Sequence, residues 1–167
     1  METLFEGHGW KLTLETAPLP DGREKIGVRV YRSDSAHIIA HPTPDTILML
    51  REFRPFYGEY VWMLPSGKID KETDITAAAR RELQEETGHD ARVIEYFCNA
   101  NLSDSIAITN HIFIAHDLFK SPLPQDGDEL IEVHELPIKE ALEKILTSPK
   151  VHLASAYALL RYLREKR

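Results

Sequence analysis

Three glutamates, Glu82, Glu85 and Glu86, follow Arg81 at spacings of three and four residues. On a helix this spacing brings the carboxylates together, so they repel one another. Glu85 and Glu86 also lie where the helix would end, and each is unfavourable there by roughly 0.3–1 kcal/mol because the helix dipole favours cations. Such a cluster indicates a bound positive charge, and ligands that are all oxygen favour Mg²⁺ first and Mn²⁺ second. The alternative is the solvated end of a charged surface helix.

The segment that carries these glutamates, residues 67–88, predicts a helix. Thr73 or Asp74 can cap its start, because their side-chain oxygens accept hydrogen bonds from free backbone N–H groups. Gly88 suits the left-handed conformation that commonly ends a helix. Most residues between these positions have high helix propensity. We therefore expect one helix between the caps.

This helix has an apolar stripe at four-residue spacing, formed by Ile75, Ala79 and Leu83. At about 100° per residue, Glu82 and Glu86 fall within roughly 100° of Leu83, on the side of the stripe. A purely solvated helix would carry its carboxylates on the opposite side. We therefore expect Glu82 and Glu86 on a half-buried face.

Residues 81–88, RELQEETG, together with Gly67, resemble the Nudix box of the Nudix hydrolase superfamily, G-x5-E-x7-R-E-U-x-E-E-x-G-U, where U is bulky and apolar. The match to R-E-U-x-E-E-x-G is complete. Thr73 occupies the position of the upstream Glu, with Glu72 one residue earlier, and His89 occupies the last U.

This resemblance implies a metal site with catalytic residues around it. Glu82, Glu85 and Glu86 would bind Mg²⁺ or Mn²⁺, and the backbone carbonyl of Ser66 would complete the ligands. Arg81, four residues before Glu85, would orient that carboxylate, which makes both residues catalytic candidates.

Two arginines, Arg51 and Arg54, lie at the end of a predicted strand beside aromatic residues. Guanidinium groups suit phosphate oxygens, so we expect these arginines to bind the substrate's phosphates. Surface salt bridges are the alternative. A chain of net charge −7 must in any case meet an anionic substrate with local positive charge.

The same strand end resembles one branch of the superfamily. Residues 52–55, EFRP, and 64–70, LPSGKID, are similar to the runs Q-Y/F-R-x-P and E-L-P-A-G-x-I-D of ADP-ribose and nucleoside-diphosphate-sugar pyrophosphatases. Ser66 replaces the usual Ala, and Met63 stands where the branch has an acidic residue.

Two further segments carry candidate site residues. The loop of residues 99–105 lacks the Pro, Gly and Glu of the S-P-G-x-x-x-E run common in ADP-ribose pyrophosphatases, but Ser103 and Asp104 could contact a sugar or a metal-bound water. The run DELIEV resembles E-x-E-x-I-x-V, which makes Glu129 a candidate general base or additional metal ligand. Asp126 or Asp128 would replace the other Glu. A solvated acidic turn is the alternative.

Composition restricts the broad class of protein. With 167 residues, 43% hydrophobic and 28% charged, we expect one globular domain over residues 1–167. The net charge argues against a nucleic-acid partner. The single cysteine, Cys98, excludes an internal disulfide and is interpreted as buried on a strand. The first residues lack the pattern of a signal peptide, and no apolar run is long enough to span a membrane, so we expect a cytoplasmic protein.

The element pattern predicts an α/β fold. Together with the resemblance, it predicts a Nudix α/β/α sandwich with a mixed central sheet and an N-terminal β-hairpin, about residues 1–35. Such a hairpin often packs on a partner subunit in this family, which implies a homodimer. Phe5 and Trp10 could then line the partner's base pocket or pack on their own sheet. His152 could contact the substrate, although a structural role is the simpler interpretation. The predicted strands and late helices are 10–16, 25–31, 46–50, 92–98, 106–116, 130–135, 137–146 and 151–165.

Together these features predict hydrolysis of the diphosphate linkage of nucleoside diphosphate sugars, of the ADP-ribose, ADP-glucose and GDP-mannose type. The products would be a nucleoside monophosphate and a sugar phosphate. Two alternatives remain open: a Nudix hydrolase of nucleoside triphosphates or dinucleoside polyphosphates, and a non-catalytic nucleotide-sugar sensor.

Overall fold

The described strands form three sheets, and helices pack on both sides of the central one. The computed structural model describes residues 1–71, 74–125, 127 and 129–166. Its strands are β1 (Glu2–Gly7), β2 (Trp10–Pro18), β3 (Glu24–Tyr31), β4 (Ser35–Ala40), β5 (Thr46–Arg54), β6 (Glu59–Met63), β7 (Ser66–Lys68), β8 (His89–Asn101), β9 (Ile106–Ala107), β10 (Thr109–Lys120) and β11 (Ile131–Pro137). Its helices are α1 (Ile75–Thr87), α2 (Ile138–Thr147) and α3 (Leu153–Glu165).

The central sheet has the order β7-β4-β10-β8, beside sheets of order β1-β2-β3-β9 and β11-β5-β6. It is mixed, because β10 pairs parallel with β4 and antiparallel with β8. Successive side chains of a strand point to opposite faces. Accordingly Ile38 of β4 joins an apolar cluster with Leu83 of α1, whereas Ile39 joins a second cluster with Ile145 of α2 and Leu159 of α3. This arrangement confirms the predicted α/β/α sandwich.

The predicted helix caps are present on α1. The Asp74 side chain accepts a hydrogen bond from the backbone N–H of Thr76 at 2.9 Å. Gly88 ends the helix with φ of 71°, and its N–H donates to the carbonyl of Gln84 at 3.0 Å. Leu83, on the side of α1 that packs against the central sheet, is fully buried. The helix position is therefore fixed at both ends and along its apolar stripe.

The N-terminal unit is larger than the predicted hairpin. The strands β2 and β3 form the hairpin, but β1 extends it on one side and β9 pairs parallel with β3 on the other. The strand β1 was not predicted because its sequence, ETLFEG, has almost no alternation and is exposed. The short strands β6 and β7 were also missed, since they acquire their character from pairing with β5 and β4.

Two predictions from composition can be compared with the structure. Cys98 is a free, buried cysteine on β8, as expected. Among the residues that the structure describes, no helix is long and apolar enough to cross a membrane.

The packing of α1 on β4 predicts a large effect of one substitution. Leu83→Ala should lower the free energy of unfolding by about 2–5 kcal/mol, because it opens a cavity at a fully buried position. Urea denaturation measures this change. The control is Leu146→Ala on α2, whose side chain is 45% exposed. Equal, small effects for the two variants would contradict the packing described here.

Candidate active site

Six of the residues predicted to form a site line one cavity of about 350 Å³ between α1, β5, β7 and the segment before β11. Their side chains include five carboxylates or guanidinium groups from distant parts of the chain, which the sheet order brings together. These six residues are Arg54, Ser66, Arg81, Glu82, Glu86 and Glu129.

Glu82 and Glu86 form the buried acidic side of this cavity. They are only 8% and 7% exposed, because they lie on the face of α1 that also carries Leu83. Burial raises the pKa of Glu82 to about 7, although Arg81 opposes the shift. Burial raises the pKa of Glu86 well above its usual value, and nearby carboxylates raise it further. The backbone N–H of Ser66 opposes this increase, because it donates a hydrogen bond to Oε2 at 2.7 Å. Both carboxyl groups therefore lie where water is largely excluded, which disfavours their charged forms unless a positive charge is close.

Arg81 holds the acidic end of α1 against β7. Its guanidinium lies 2.7 Å from Glu82 Oε1 and donates to Glu85 Oε2. It also donates to the carbonyl of Lys68 at 3.1 Å. Glu85 itself is not among the residues that line the cavity. Arg81 thus orients both carboxylates, Glu82 in the cavity lining and Glu85 outside it.

Gly67 allows the Glu82 carboxylate to lie against the backbone of β7. A Cβ atom at position 67 would come within 2.0 Å of Glu82 Cδ and 2.1 Å of Oε2. Such a contact is far closer than real Cβ atoms show, so any side chain here would displace the carboxylate. Gly67 is needed for this close approach.

The donor chemistry of this cavity fits a hard divalent cation. Glu82, Glu86 and Glu129 offer only oxygen atoms, and the pKa of Glu86 is raised partly by the charges of the other two. Within the described residues, no group of three or more His, Cys, Asp or Glu side chains is already arranged to hold a metal ion. The candidate ligands on α1 are Glu82 and Glu86, and Glu129 and Ser66 also line the cavity. Glu72 lies outside the described residues.

The two predicted phosphate-binding arginines lie on opposite faces of β5, as the two-residue period of a strand requires for positions 51 and 54. Arg54 lines the cavity, where its guanidinium lies 2.9 Å from Glu52 Oε1 and donates to Met63 Sδ at 3.4 Å. Arg51 lies outside the cavity lining and donates two hydrogen bonds, of 2.9 and 3.0 Å, to Glu132. The structure therefore brings Arg54 to the site but not Arg51.

The loop candidates also lie outside the cavity lining. Ser103 is exposed and its hydroxyl is 3.0 Å from that of Ser105. Asp104 is exposed and lies 3.9 Å from Lys25 Nζ. This loop projects beside the N-terminal sheet, because Ser105 accepts a backbone hydrogen bond from Val30. Asp126 and Asp128, the suggested partners of Glu129, lie outside the described residues.

Sequence reasoning missed an uncharged part of the same cavity. Its members Ser35, His37 and Asn110 come from β4 and β10, whose parallel pairing places Asn110 opposite Ser35. Ser35 Oγ donates to Asn110 Oδ1 at 2.9 Å, and His37 Nε2 lies 3.1 Å from the same oxygen. His152 lines the cavity next to them. Ser35 and His37 are 75 and 73 positions from Asn110, so only the strand order could have indicated these three residues. His152 is already a candidate substrate contact from the sequence.

Comparisons with known proteins identify one family model and several similar proteins. A family model described as NUDIX domain matches residues 31–157. The chain is 28% identical to an ADP-ribose pyrophosphatase of Bacillus subtilis (strain 168), over 99% of this chain and 90% of that protein. It is 29% identical to a methanol dehydrogenase activator of Bacillus methanolicus, over 96% and 90% respectively. A crystal structure of an ADP compounds hydrolase has the same fold, with a TM-score of 0.81 and 20% identity over 99% of this chain and 92% of that one.

The contact of Gly67 with Glu82 predicts the effect of a single methyl group. Gly67→Ala should weaken Mn²⁺ binding by at least about tenfold, since the Glu82 carboxylate must move away from the cavity. Isothermal titration calorimetry measures the affinity. Gly27→Ala is the control, because a Cβ there meets no atom within 4 Å. Unchanged Mn²⁺ affinity in Gly67→Ala would contradict a role for Glu82 as a ligand.

Proposed function

The chain belongs to the NUDIX domain family, and on that basis we propose that it hydrolyses the diphosphate linkage of nucleoside diphosphate sugars. The products are a nucleoside monophosphate and a sugar phosphate, from substrates of the ADP-ribose, ADP-glucose and GDP-mannose type. The observation that carries this proposal is one cavity in which the buried carboxylates Glu82 and Glu86 lie with the guanidinium of Arg54. The names of the similar proteins, which include an ADP-ribose pyrophosphatase and an ADP compounds hydrolase, support it.

Mg²⁺, or Mn²⁺ in its place, is the cofactor that this proposal requires. Glu82 and Glu86 bind it, with Glu85 and the backbone carbonyl of Ser66 as the further ligands expected from the sequence. When bound, the ion supplies neutralisation of phosphate charge and a lowered pKa for a bound water. A bound metal ion would also offset the carboxylate repulsion and the loss of hydration that raise the pKa values of Glu82 and Glu86.

The remaining residues bind the phosphates, orient the carboxylates and accept a proton. Arg54 donates hydrogen bonds to phosphate oxygens, for which its planar guanidinium is suited. Arg81 keeps Glu82 and Glu85 in place through the contacts described above. A Glu129 carboxylate oxygen accepts the proton of the attacking water. The water oxygen bonds to one phosphorus, the bond between that phosphorus and the bridging oxygen breaks, and the bridging oxygen leaves with the other phosphate.

We propose that the protein forms a homodimer, because the N-terminal sheet exposes large apolar side chains. Leu4, Phe5, Ile26 and Val28 are all exposed on β1 and β3. Burying such side chains favours association. Trp10 lies under the guanidinium of Arg32, a cavity-lining residue, at 4.7 Å. A homodimer through this sheet would therefore form close to the substrate cavity.

Turnover of a substrate panel tests the proposed function. The panel contains ADP-ribose, ADP-glucose, GDP-mannose, UDP-glucose, dGTP and a diadenosine polyphosphate, each with Mg²⁺ and with EDTA, and products are identified by mass spectrometry. We expect metal-dependent release of a nucleoside monophosphate and a sugar phosphate from diphosphate sugars. Turnover confined to triphosphates or dinucleoside polyphosphates would overturn the substrate class. Binding without turnover would favour a sensor.

Neutralising one buried carboxylate should separate catalysis from stability. Glu86→Gln should lower kcat by about a hundredfold or more, because an amide is a poor ligand for a hard cation. Its Tm should stay the same or rise, since the amide oxygen can still accept from Ser66 N–H and the amide carries no charge that burial would penalise. Glu143→Gln on the exposed side of α2 is the control. An unchanged kcat would remove Glu86 from the metal site.

The opposite orientations of the two arginines predict different kinetic effects. Arg54→Ala should raise KM more than it lowers kcat, because Arg54 binds phosphate in the ground state as well as in the transition state. Arg51→Ala should have the smaller effect on KM, since Arg51 pairs with Glu132 away from the cavity. Initial rates over a range of ADP-ribose concentrations measure both. A larger KM effect for Arg51→Ala would assign phosphate binding to that residue instead.

A further inference from the structure

One side of the cavity is uncharged, and the proposed phosphate chemistry does not use it. Ser35, His37, Asn110 and His152 line this side, and the rings of the two histidines lie 5.5 Å apart between centroids. Burial lowers the pKa of His37 to about 4 and that of His152 to about 3. Both imidazoles are therefore neutral near pH 7. This surface can donate and accept hydrogen bonds without carrying charge.

The hydrogen bonds of Ser155 determine which nitrogen of His152 carries the proton. The hydroxyl of Ser155, which is fully buried, accepts a hydrogen bond from the backbone N–H of Leu64 at 3.0 Å. The same Oγ lies 2.8 Å from His152 Nδ1. The buried hydroxyl proton needs an acceptor, and His152 Nδ1 is the acceptor within reach. A neutral His152 therefore carries its proton on Nε2.

The Nε2–H group of His152 is the donor that faces the cavity. With Nδ1 turned towards Ser155, Nε2 is the remaining polar atom of a ring that lines the cavity. No described residue accepts a hydrogen bond from it. The helix α3 begins at the next residue, and the backbone carbonyl of His152 accepts from Ala156 N–H at 3.0 Å, so the donor is held on a rigid element.

The neighbours of His152 indicate which part of the substrate it meets. Arg54, the proposed phosphate ligand, is close enough for its charge to contribute to the lowered pKa of His152. The His37 ring lies 5.5 Å from that of His152 between centroids, and its Nε2 lies 3.1 Å from Asn110 Oδ1. Asn110 Nδ2 donates to the carbonyl of Ala100, which fixes the amide orientation and makes His37 Nε2 the donor. His152 is thus close both to the proposed phosphate ligand and to a neutral hydrogen-bonding network.

We propose that His152 is a specificity-determining residue whose Nε2–H donates to a hydroxyl oxygen of the sugar in the substrate. This inference rests on the proposed function, since it assigns the sugar half of a diphosphate sugar to the uncharged side of the cavity. A sugar hydroxyl lies close to the phosphate that its sugar esterifies, which matches the position of His152 beside Arg54. A neutral donor suits a neutral hydroxyl, whereas phosphate would favour the nearby cations.

The test compares two substrates and three variants. The substrates are ADP-ribose and the methyl ester of ADP, which has the same diphosphate but no second sugar. His152→Leu removes the donor, His152→Gln retains an amide donor, and His116→Leu is the control at an exposed histidine on β10. Tm is measured for each variant to confirm folding.

We expect His152→Leu to lower kcat/KM for ADP-ribose by about three- to tenfold, mainly through KM, as for the loss of one hydrogen bond. Hydrolysis of the methyl ester should change by less than about twofold. His152→Gln should recover part of the loss, and His116→Leu should behave like the unaltered protein. An equal loss on both substrates would mean that His152 acts on the diphosphate, and no loss on either would overturn the inference.

A binding measurement separates failure of this inference from failure of the proposed function. The protein is titrated separately with ribose 5-phosphate and with inorganic phosphate. Binding is monitored by NMR through the ring ¹H–¹⁵N signals of the histidines. We expect the signal of the His152 Nε2–H to be present at pH 7 and to shift with ribose 5-phosphate but not with phosphate. If no nucleotide sugar is hydrolysed, the proposed function fails, yet this titration still decides the role of His152. A His152 protonated on Nδ1, or unshifted by ribose 5-phosphate, would contradict it.

Discussion

The burial of two carboxylates on the inner face of α1 is the constraint on which the site depends. Glu82 and Glu86 lose hydration and lie near other carboxylates, and both effects raise their pKa values. The fold offsets part of this with the guanidinium of Arg81 and the backbone N–H of Ser66. A structure that only needed stability would place neutral or apolar side chains there. The proposed cation accounts for carboxylates at these positions.

The rest of the fold holds this charged face in position. The helix packs Leu83 against the central sheet, and β7 supplies Gly67, whose lack of a side chain lets the Glu82 carboxylate approach. The cavity is also lined by Arg54 of β5 and by His152, the residue that precedes α3. Acidic, basic and neutral surfaces thus meet in one cavity, in the combination that a metal ion, a diphosphate and a sugar require.

Sequence patterns gave the local structure of the site but not its full composition. Helix period placed Glu82 and Glu86 on the buried side of α1, and capping rules placed both ends of that helix. The two-residue strand period, applied to β5, would also have separated Arg51 from Arg54. Asn110 could not have been found in this way, because its position depends on parallel pairing with a strand some 70 residues earlier. The strand β1 was missed because its stability comes from pairing with β2.

The most direct test of a cation at the buried carboxylates is anomalous diffraction from crystals soaked in Mn²⁺. The account predicts an anomalous peak within coordination distance of both Glu82 and Glu86, and its loss in crystals of the Glu86→Gln variant. A peak elsewhere on the protein, with none between these two carboxylates, would contradict the central claim that their burial serves metal binding.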